Sequence, residues 1–311
     1  MSETRNVARS RPQGLWAPAL TALDEDLAPD AGRTVAHVRR LLDEGCHGVA
    51  LFGTTGEATS FSVDERKAVL EATLEAGVPA GRLMVGTGCC ALTDSLELTR
   101  HAAALGCKQV LMLPPFYYKG VSDEGLHAAY AEVIERTGDP ALEVILYHFP
   151  RLSAVPITHG LVESVLTAYP GTIAGIKDSS GDPEGCAHFI ARFPDLGIFP
   201  GTEAIMLDML EKGAAGCISA SANVNAPAIR RVWDAWQAGR EDREALQDEI
   251  TATRLVLQAN PMIPTLKQIL AHRLGDSAWL RLRPPLTTLT GAQAAQLETE
   301  LARLGFGLAA A

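Results

Sequence analysis

Eight short apolar runs, each followed by a longer amphipathic stretch, predict an α/β fold: a closed (β/α)8 barrel of the TIM type with a C-terminal helical extension. The alternation continues without a long break, which favours a closed barrel over an open sheet. Runs such as VALF, VLML and VILY are apolar throughout, as parallel strands covered on both faces must be. After residue 239 the pattern turns purely helical.

The strand-like runs lie near 16–20, 48–52, 83–87, 109–113, 142–147, 172–177, 196–199 and 216–219. Helical patterns fall between and after them, near 32–44, 63–76, 93–105, 123–136, 159–168, 183–191, 203–212 and 227–238. The extension reads as helices near 241–258, 263–273 and 291–304. Local signals set some boundaries. Ser62 with Glu65 three residues on forms a capping box, and Lys212-Gly213 is a basic last turn followed by a C-cap glycine. The expected organisation is a flexible tail over 1–13, a barrel over 14–239 and a helical extension over 240–311.

Composition narrows the function classes. A chain of 311 residues that is 47% hydrophobic and 21% charged can bury a large core. Its net charge of −10, with both signs mixed along the chain, argues against a nucleic-acid partner. No apolar run approaches the ~18 residues of a membrane span, and the opening MSETRNVARSRPQ has no apolar segment to act as a secretion signal. A cytoplasmic protein without membrane contact is expected. Cys46, Cys89, Cys90, Cys107, Cys186 and Cys217 form no CxxC pair, so reduced and mostly buried thiols are expected, with no metal site.

In such a barrel the chemistry sits where strands end on the C-terminal face. Elimination is practical because the chain has only six lysines. Lys67, Lys212 and Lys267 fall on helices and read as solvated, Lys108 precedes its strand, and Lys119 lies in an upper loop. Lys177 instead closes the run Thr172-Ile-Ala-Gly-Ile-Lys177, at the mouth of an apolar barrel, while Asp178 points to the other side by alternation. A free lysine is neutral in about one molecule in two thousand at pH 7, and a Schiff-base nucleophile must be neutral to attack. Poorly hydrated surroundings favour that form. A strand-end lysine snorkelling to solvent fits the same position.

One strand earlier, 142–147 ends in Tyr147, which a strand's spacing of roughly 5 Å brings beside Lys177. Its phenol could shuttle protons, although tyrosines at strand ends more often pack a core or rim. The second strand ends in Gly53-Thr54-Thr55-Gly56-Glu57, where glycines allow close backbone approach and two hydroxyls make a neutral cradle for a small carboxylate. A plain Gly-rich turn is the alternative.

Gly48-Val-Ala-Leu-Phe-Gly-Thr-Thr-Gly-Glu57-Ala58, with Glu65 seven residues further on, resembles the first signature of the dihydrodipicolinate synthase/N-acetylneuraminate lyase family. Tyr147-His-Phe-Pro150 with Gly175-Ile-Lys177-Asp178-Ser179 resembles the second, and PPFYYKG (114–120), GTE (201–203) and GCISASAN (216–223) also match. The resemblance implies a pyruvate-dependent class I aldolase or lyase acting on a 2-keto sugar acid, without cofactor or metal. It implies Lys177 as the Schiff-base residue, Tyr147 and Thr54 as proton-transfer groups, and Thr54, Thr55 and Gly53 around the keto-acid carboxylate. It further implies that Tyr118 completes the relay from a neighbouring subunit of a homo-dimer or homo-tetramer, and that Ile218 offers a backbone contact.

Departures shape the second-substrate end. The synthase pattern carries an arginine two residues after the motif proline; here Leu152 stands there and Arg151 precedes it. His148 replaces the motif asparagine, and Glu203 is the one acid of a pair that sialic-acid lyases carry. Glu203, His148 and Arg151 are therefore the candidate contacts to the second substrate. Authentic 4-hydroxy-tetrahydrodipicolinate synthase, with Arg151 substituting, is the alternative activity, ahead of dehydratase chemistry on the same imine and a non-catalytic keto-acid-binding homologue.

Overall fold

The computed structural model describes residues 12–307; most of the expected N-terminal tail lies outside the described residues. Eight parallel strands follow one another as β1 (Gly14–Pro18), β2 (Gly48–Leu51), β3 (Leu83–Gly86), β4 (Gln109–Met112), β5 (Glu143–His148), β6 (Ile173–Asp178), β7 (Gly197–Pro200) and β8 (Gly216–Ile218). They hydrogen-bond in the order β7-β6-β5-β4-β3-β2-β1-β8. The sheet curls until the Ala215 N–H, just before β8, donates to the Ile198 carbonyl of β7 at 2.9 Å. This is the predicted (β/α)8 TIM barrel.

Alternation along each strand sorts side chains into two cores. Trp16, Ala50, Met84, Leu111, Ile145, Tyr147, Phe199 and Ile218 pack together inside the barrel. Leu15, Val49, Leu51, Val110, Leu146 and Ile176 face the surrounding helices. Gly48 is required by the inner layer, because a Cβ there would lie 2.2 Å from the Trp16 indole. The extension adds a third cluster, in which Leu257, Leu266, Leu270, Trp279 and Leu301 pack against Leu20 and Ala22. Among the described residues no helix is long and apolar enough to cross a membrane.

The first strand lies two residues earlier than its apolar run suggests. Beyond Pro18 the Ala19 N–H still donates to the Ala50 carbonyl at 3.0 Å, and a side chain then takes over: Asn223 Oδ1 accepts from the Leu20 N–H at 2.9 Å, and Asn223 Nδ2 donates to the Pro18 carbonyl at 2.9 Å. The last barrel helix, Ala222–Gln237, starts five residues before the expected position because Pro227 lies inside it, behind a kink at Asn225 (φ −137°). The expected helix over 203–212 divides into a 3-10 turn, Glu203–Ile205, and the helix Met206–Glu211. Extension helices Arg243–Leu257, Met262–Leu274 and Gly291–Arg303 match the sequence reading within a few residues. Both halves of the Ser62–Glu65 capping box are present. Cys46, Cys107, Cys186 and Cys217 are buried, Cys89 is half-buried and Cys90 exposed.

The Asn223 seam also fixes a buried histidine. His37 Nε2 lies 2.7 Å from Asn223 Oδ1, and its Nδ1 accepts from Arg40 Nη2 at 2.6 Å. Burial, reinforced by the nearby Arg40 charge, pushes His37 down to about 3, so it stays neutral in the fold. The unfolded chain gains a proton on this residue below about pH 6.5, whereas the folded chain does so only near 3. Stability must therefore fall as pH drops from 6.5 towards 3. In urea titrations across that window, His37→Gln is expected to flatten the decline by up to about 1.4 kcal/mol per pH unit; an unchanged slope contradicts the assignment.

Candidate active site

Register brings the central pair together. Tyr147 of β5 is directly opposite Lys177 of β6, and both side chains point inward and upward. Each residue is 3% exposed. The Lys177 amine sits over the Tyr147 ring, 4.2 Å from its centroid. Two buried carboxylates of this face engage other cations, Glu203 pairing with Arg254 at 3.3 Å and Glu57 with Lys267 at 2.5 Å, while Asp178 accepts from the Ser180 N–H at 2.8 Å. Lys177 is thus shielded from bulk water without an ion-pair partner among the described residues. That arrangement leaves its amine open to a carbonyl carbon.

Tyr147 connects to the turn after β2. Its phenol oxygen lies 3.2 Å from Thr54 Oγ1. The turn is held by the Glu57 N–H donating to the Thr54 carbonyl at 3.1 Å and the Ala58 N–H donating to the Gly53 carbonyl at 3.3 Å. Neither the Thr54 nor the Thr55 N–H has a backbone acceptor among the described residues. Two amides and two hydroxyls remain for an anion, as in other backbone nests.

A cavity of about 530 Å³ opens above this group. Lys177, Tyr147, Thr54, Thr55, Ile218 and Arg151 line it, which unites six of the ten residues singled out from sequence. Gly53 instead lines an adjoining apolar pocket of about 190 Å³ that shares Thr54 and Tyr147. Tyr118 is 73% exposed, edge-on to Tyr117 at 5.5 Å between ring centroids, and does not line the cavity of its own chain.

Two candidates require correction as direct contacts. His148 follows an inward residue and so turns outward: its Nδ1 accepts from the Ile157 N–H at 2.9 Å and its ring packs against Phe189. Burial holds its pKa below the usual value, opposed by the Asp178 charge. Glu203 is fully buried and bonded to Ser219 and Arg254, behind the cavity wall. Lys267, expected to be solvated, is 1% exposed; besides Glu57 it donates to the Arg281 carbonyl at 2.8 Å.

Arg254 is the cavity residue that the sequence did not disclose. It comes from the extension, 51 residues after Glu203 in the chain, and no local motif marks it. Gln258, Met262 and Ile263 bring further parts of the extension to the same wall.

A lysine amine and a tyrosine phenol at the mouth of a TIM barrel, beside a cradle of amides and hydroxyls, define a barrel built for carbonyl chemistry on a small anion. The profile of the dihydrodipicolinate synthetase family matches residues 11–304, and the chain belongs to that family. An uncharacterized DapA-like lyase from Chloroflexus aurantiacus is 35% identical over 301 residues, covering 96% of this chain and 99% of that one. Dihydrodipicolinate synthase from Agrobacterium tumefaciens superimposes with a TM-score of 0.85 at 30% identity, over 94% of this chain and 99% of that one. YagE, a family member from E. coli K12 solved in complex with pyruvate, superimposes with a TM-score of 0.86 at 25% identity, over 95% and 99%.

The Glu57–Lys267 pair ties the extension to the turn bearing Thr54 and Thr55. Burial lowers the Lys267 pKa, and Glu57 opposes that shift. Lys267→Met leaves Glu57 buried without its counter-ion and is expected to cost about 3–5 kcal/mol in urea unfolding. Adding Glu57→Gln should recover much of that loss; a single variant of wild-type stability would contradict the pairing.

Proposed function

We propose that this protein is a pyruvate-dependent class I lyase that cleaves or forms a C–C bond in a hydroxylated 2-keto acid through a Schiff base on Lys177. The observation that carries the reading is the buried, carboxylate-free amine of Lys177 held over Tyr147. The keto acid's carboxylate binds the Thr54 and Thr55 amides and hydroxyls, which brings its carbonyl carbon to Nζ. The amine adds to that carbon; Tyr147 supplies the proton with which the hydroxyl of the carbinolamine leaves as water, giving a protonated imine. For a 4-hydroxy-2-keto acid, Tyr147 then accepts the 4-hydroxyl proton as the C3–C4 bond breaks. The bonding pair enters the enamine and an aldehyde departs. Protonation at C3 and hydrolysis return pyruvate and the free amine.

Thr54 bonds to Tyr147 and extends the proton route toward solvent. The exposed Tyr117–Tyr118 pair gives the upper face a docking surface for a second copy, in which Tyr118 would complete that route for its neighbour. Condensation with aspartate semialdehyde is the weaker reading. At the position expected for the carboxylate-binding arginine stands Leu152, a largely exposed aliphatic side chain on the cavity rim.

Borohydride reduction in the presence of pyruvate should add one reduced adduct to the peptide containing Lys177, read by mass spectrometry, and Lys177→Ala should abolish both adduct and turnover. An unmodified wild-type peptide refutes the Schiff base. Tyr147→Phe should still trap some adduct while turnover in a pyruvate-release assay falls by ~10²-fold or more; wild-type turnover would remove Tyr147 from proton transfer.

A further inference from the structure

Four of the six cysteines, Cys46, Cys107, Cys186 and Cys217, are sealed in the core between barrel and helices. Burial pushes Cys46 and Cys186 up to about 12 and Cys107 up to about 11, and it raises Cys217 as well, so these thiols stay protonated and inert. Cys89 and Cys90 differ: they lie side by side on the loop between β3 and the helix Leu92–Ala104, the first half-buried and the second exposed. Among the described residues Cys89 has the one thiol that accepts a hydrogen bond from a cation, with Arg66 Nη1 donating to its Sγ at 3.2 Å.

Arg66, on the helix Val63–Glu75, gives that contact its weight. It is 4% exposed, yet no carboxylate stands within ion-pairing distance of it among the described residues. The acids beside it in sequence are turned elsewhere: Glu65 pairs with Arg283, and Asp64 is exposed, 4.0 Å from Lys67. The guanidinium lies over the Phe52 ring, 5.7 Å from its centroid, and Nη2 donates to the Gly86 carbonyl. Nε is sealed within the protein without a partner. A guanidinium keeps its charge in a protein, and a charge withdrawn from water is costly without an opposite one. The group bonded to Arg66 that can become an anion is the Cys89 thiol, and an ionised sulfur accepts the stronger, charge-assisted bond.

The loop is set for that role. The Cys89 N–H donates to Ser95 Oγ at 2.9 Å, which ties the loop to the first turn of the following helix. That helix has no side-chain cap at Ala91, so its positive end faces the loop, an influence that Asp94 in the first turn partly offsets. We infer that Cys89, activated by the buried Arg66, is a site of oxidation by hydrogen peroxide. Its ionised sulfur attacks one peroxide oxygen: an S–O bond forms as the O–O bond breaks, and sulfur gives up two electrons. The departing hydroxide recovers from solvent the proton that the thiol lost and leaves as water, so the product is a sulfenic acid. Cys89 lines neither the Lys177 cavity nor the adjoining pocket, so the inference stands apart from the lyase reading and is tested without turnover.

The test uses the full chain as Cys90→Ser and Cys89→Ser variants, so that one loop thiol reports at a time. Each is treated at neutral pH with hydrogen peroxide and dimedone, which traps sulfenic acids, and labelling of the tryptic peptide 83–100 is followed by mass spectrometry. In the folded protein Cys89 should label faster than Cys90 by about fivefold or more, and in urea the two should label alike. Arg66→Met, placed in the Cys90→Ser chain, should erase the advantage of Cys89. Should that variant not fold, Arg66→Lys, which keeps the charge but loses the forked reach to both Gly86 and Cys89, should still slow it. A smaller difference between the two folded thiols overturns the inference. An advantage undiminished in urea, or in a folded arginine variant, overturns it too, because the reactivity would then owe nothing to Arg66.

Discussion

The pairing register of β5 against β6 is the constraint on which the site depends. Tyr147 opposes Lys177, and His148 opposes Asp178. Strand side chains alternate with a period of two, so a slip of β6 by one residue would exchange its inward and outward rows. Lys177 would then be driven into the helix layer, away from the Tyr147 phenol. Apolar alternation on both strands resists such a slip: Ile145 belongs inside, while Leu146 and Ile176 belong outside. The packing of aliphatic side chains therefore fixes where the reactive ones stand.

Around that pair the cavity draws on two parts of the chain. Lys177, Tyr147, Thr54 and Thr55 lie on β5, β6 and the turn after β2, all parts of the barrel itself. The wall facing them is drawn largely from the extension, through Arg254, Gln258, Met262 and Ile263. The two parts are joined by charges withdrawn from solvent, Glu57 with Lys267 and Glu203 with Arg254. The first braces the turn bearing Thr54 and Thr55 from behind. The second fixes Arg254 at the cavity wall.

The barrel was legible because its signals are local: apolar runs, helical periodicity, caps and the change of pattern after residue 239. The central pair was legible for a related reason, since few lysines compete and each strand ends at a definite residue. Alternation also carried information left unused, because the rule that turns Asp178 outward turns His148 outward too. Arg254 and Lys267 were hidden because their partners lie far away in the chain and nothing in either helix distinguishes a buried cation from a solvated one. The early end of β1 was equally hidden, since a side chain of residue 223 terminates it.

That last contact bears on how the chain reaches its final form. β1 lies between β2 and β8, and its upper end is satisfied by Asn223. During synthesis at roughly 5–20 residues per second, some 200 residues must follow β1 before β8 and Asn223 emerge, an interval of about 10–40 s. Throughout it the nascent chain carries a strand with one bare flank, the kind of edge that recruits unwanted neighbours. The seam that completes the barrel is the last to be sewn.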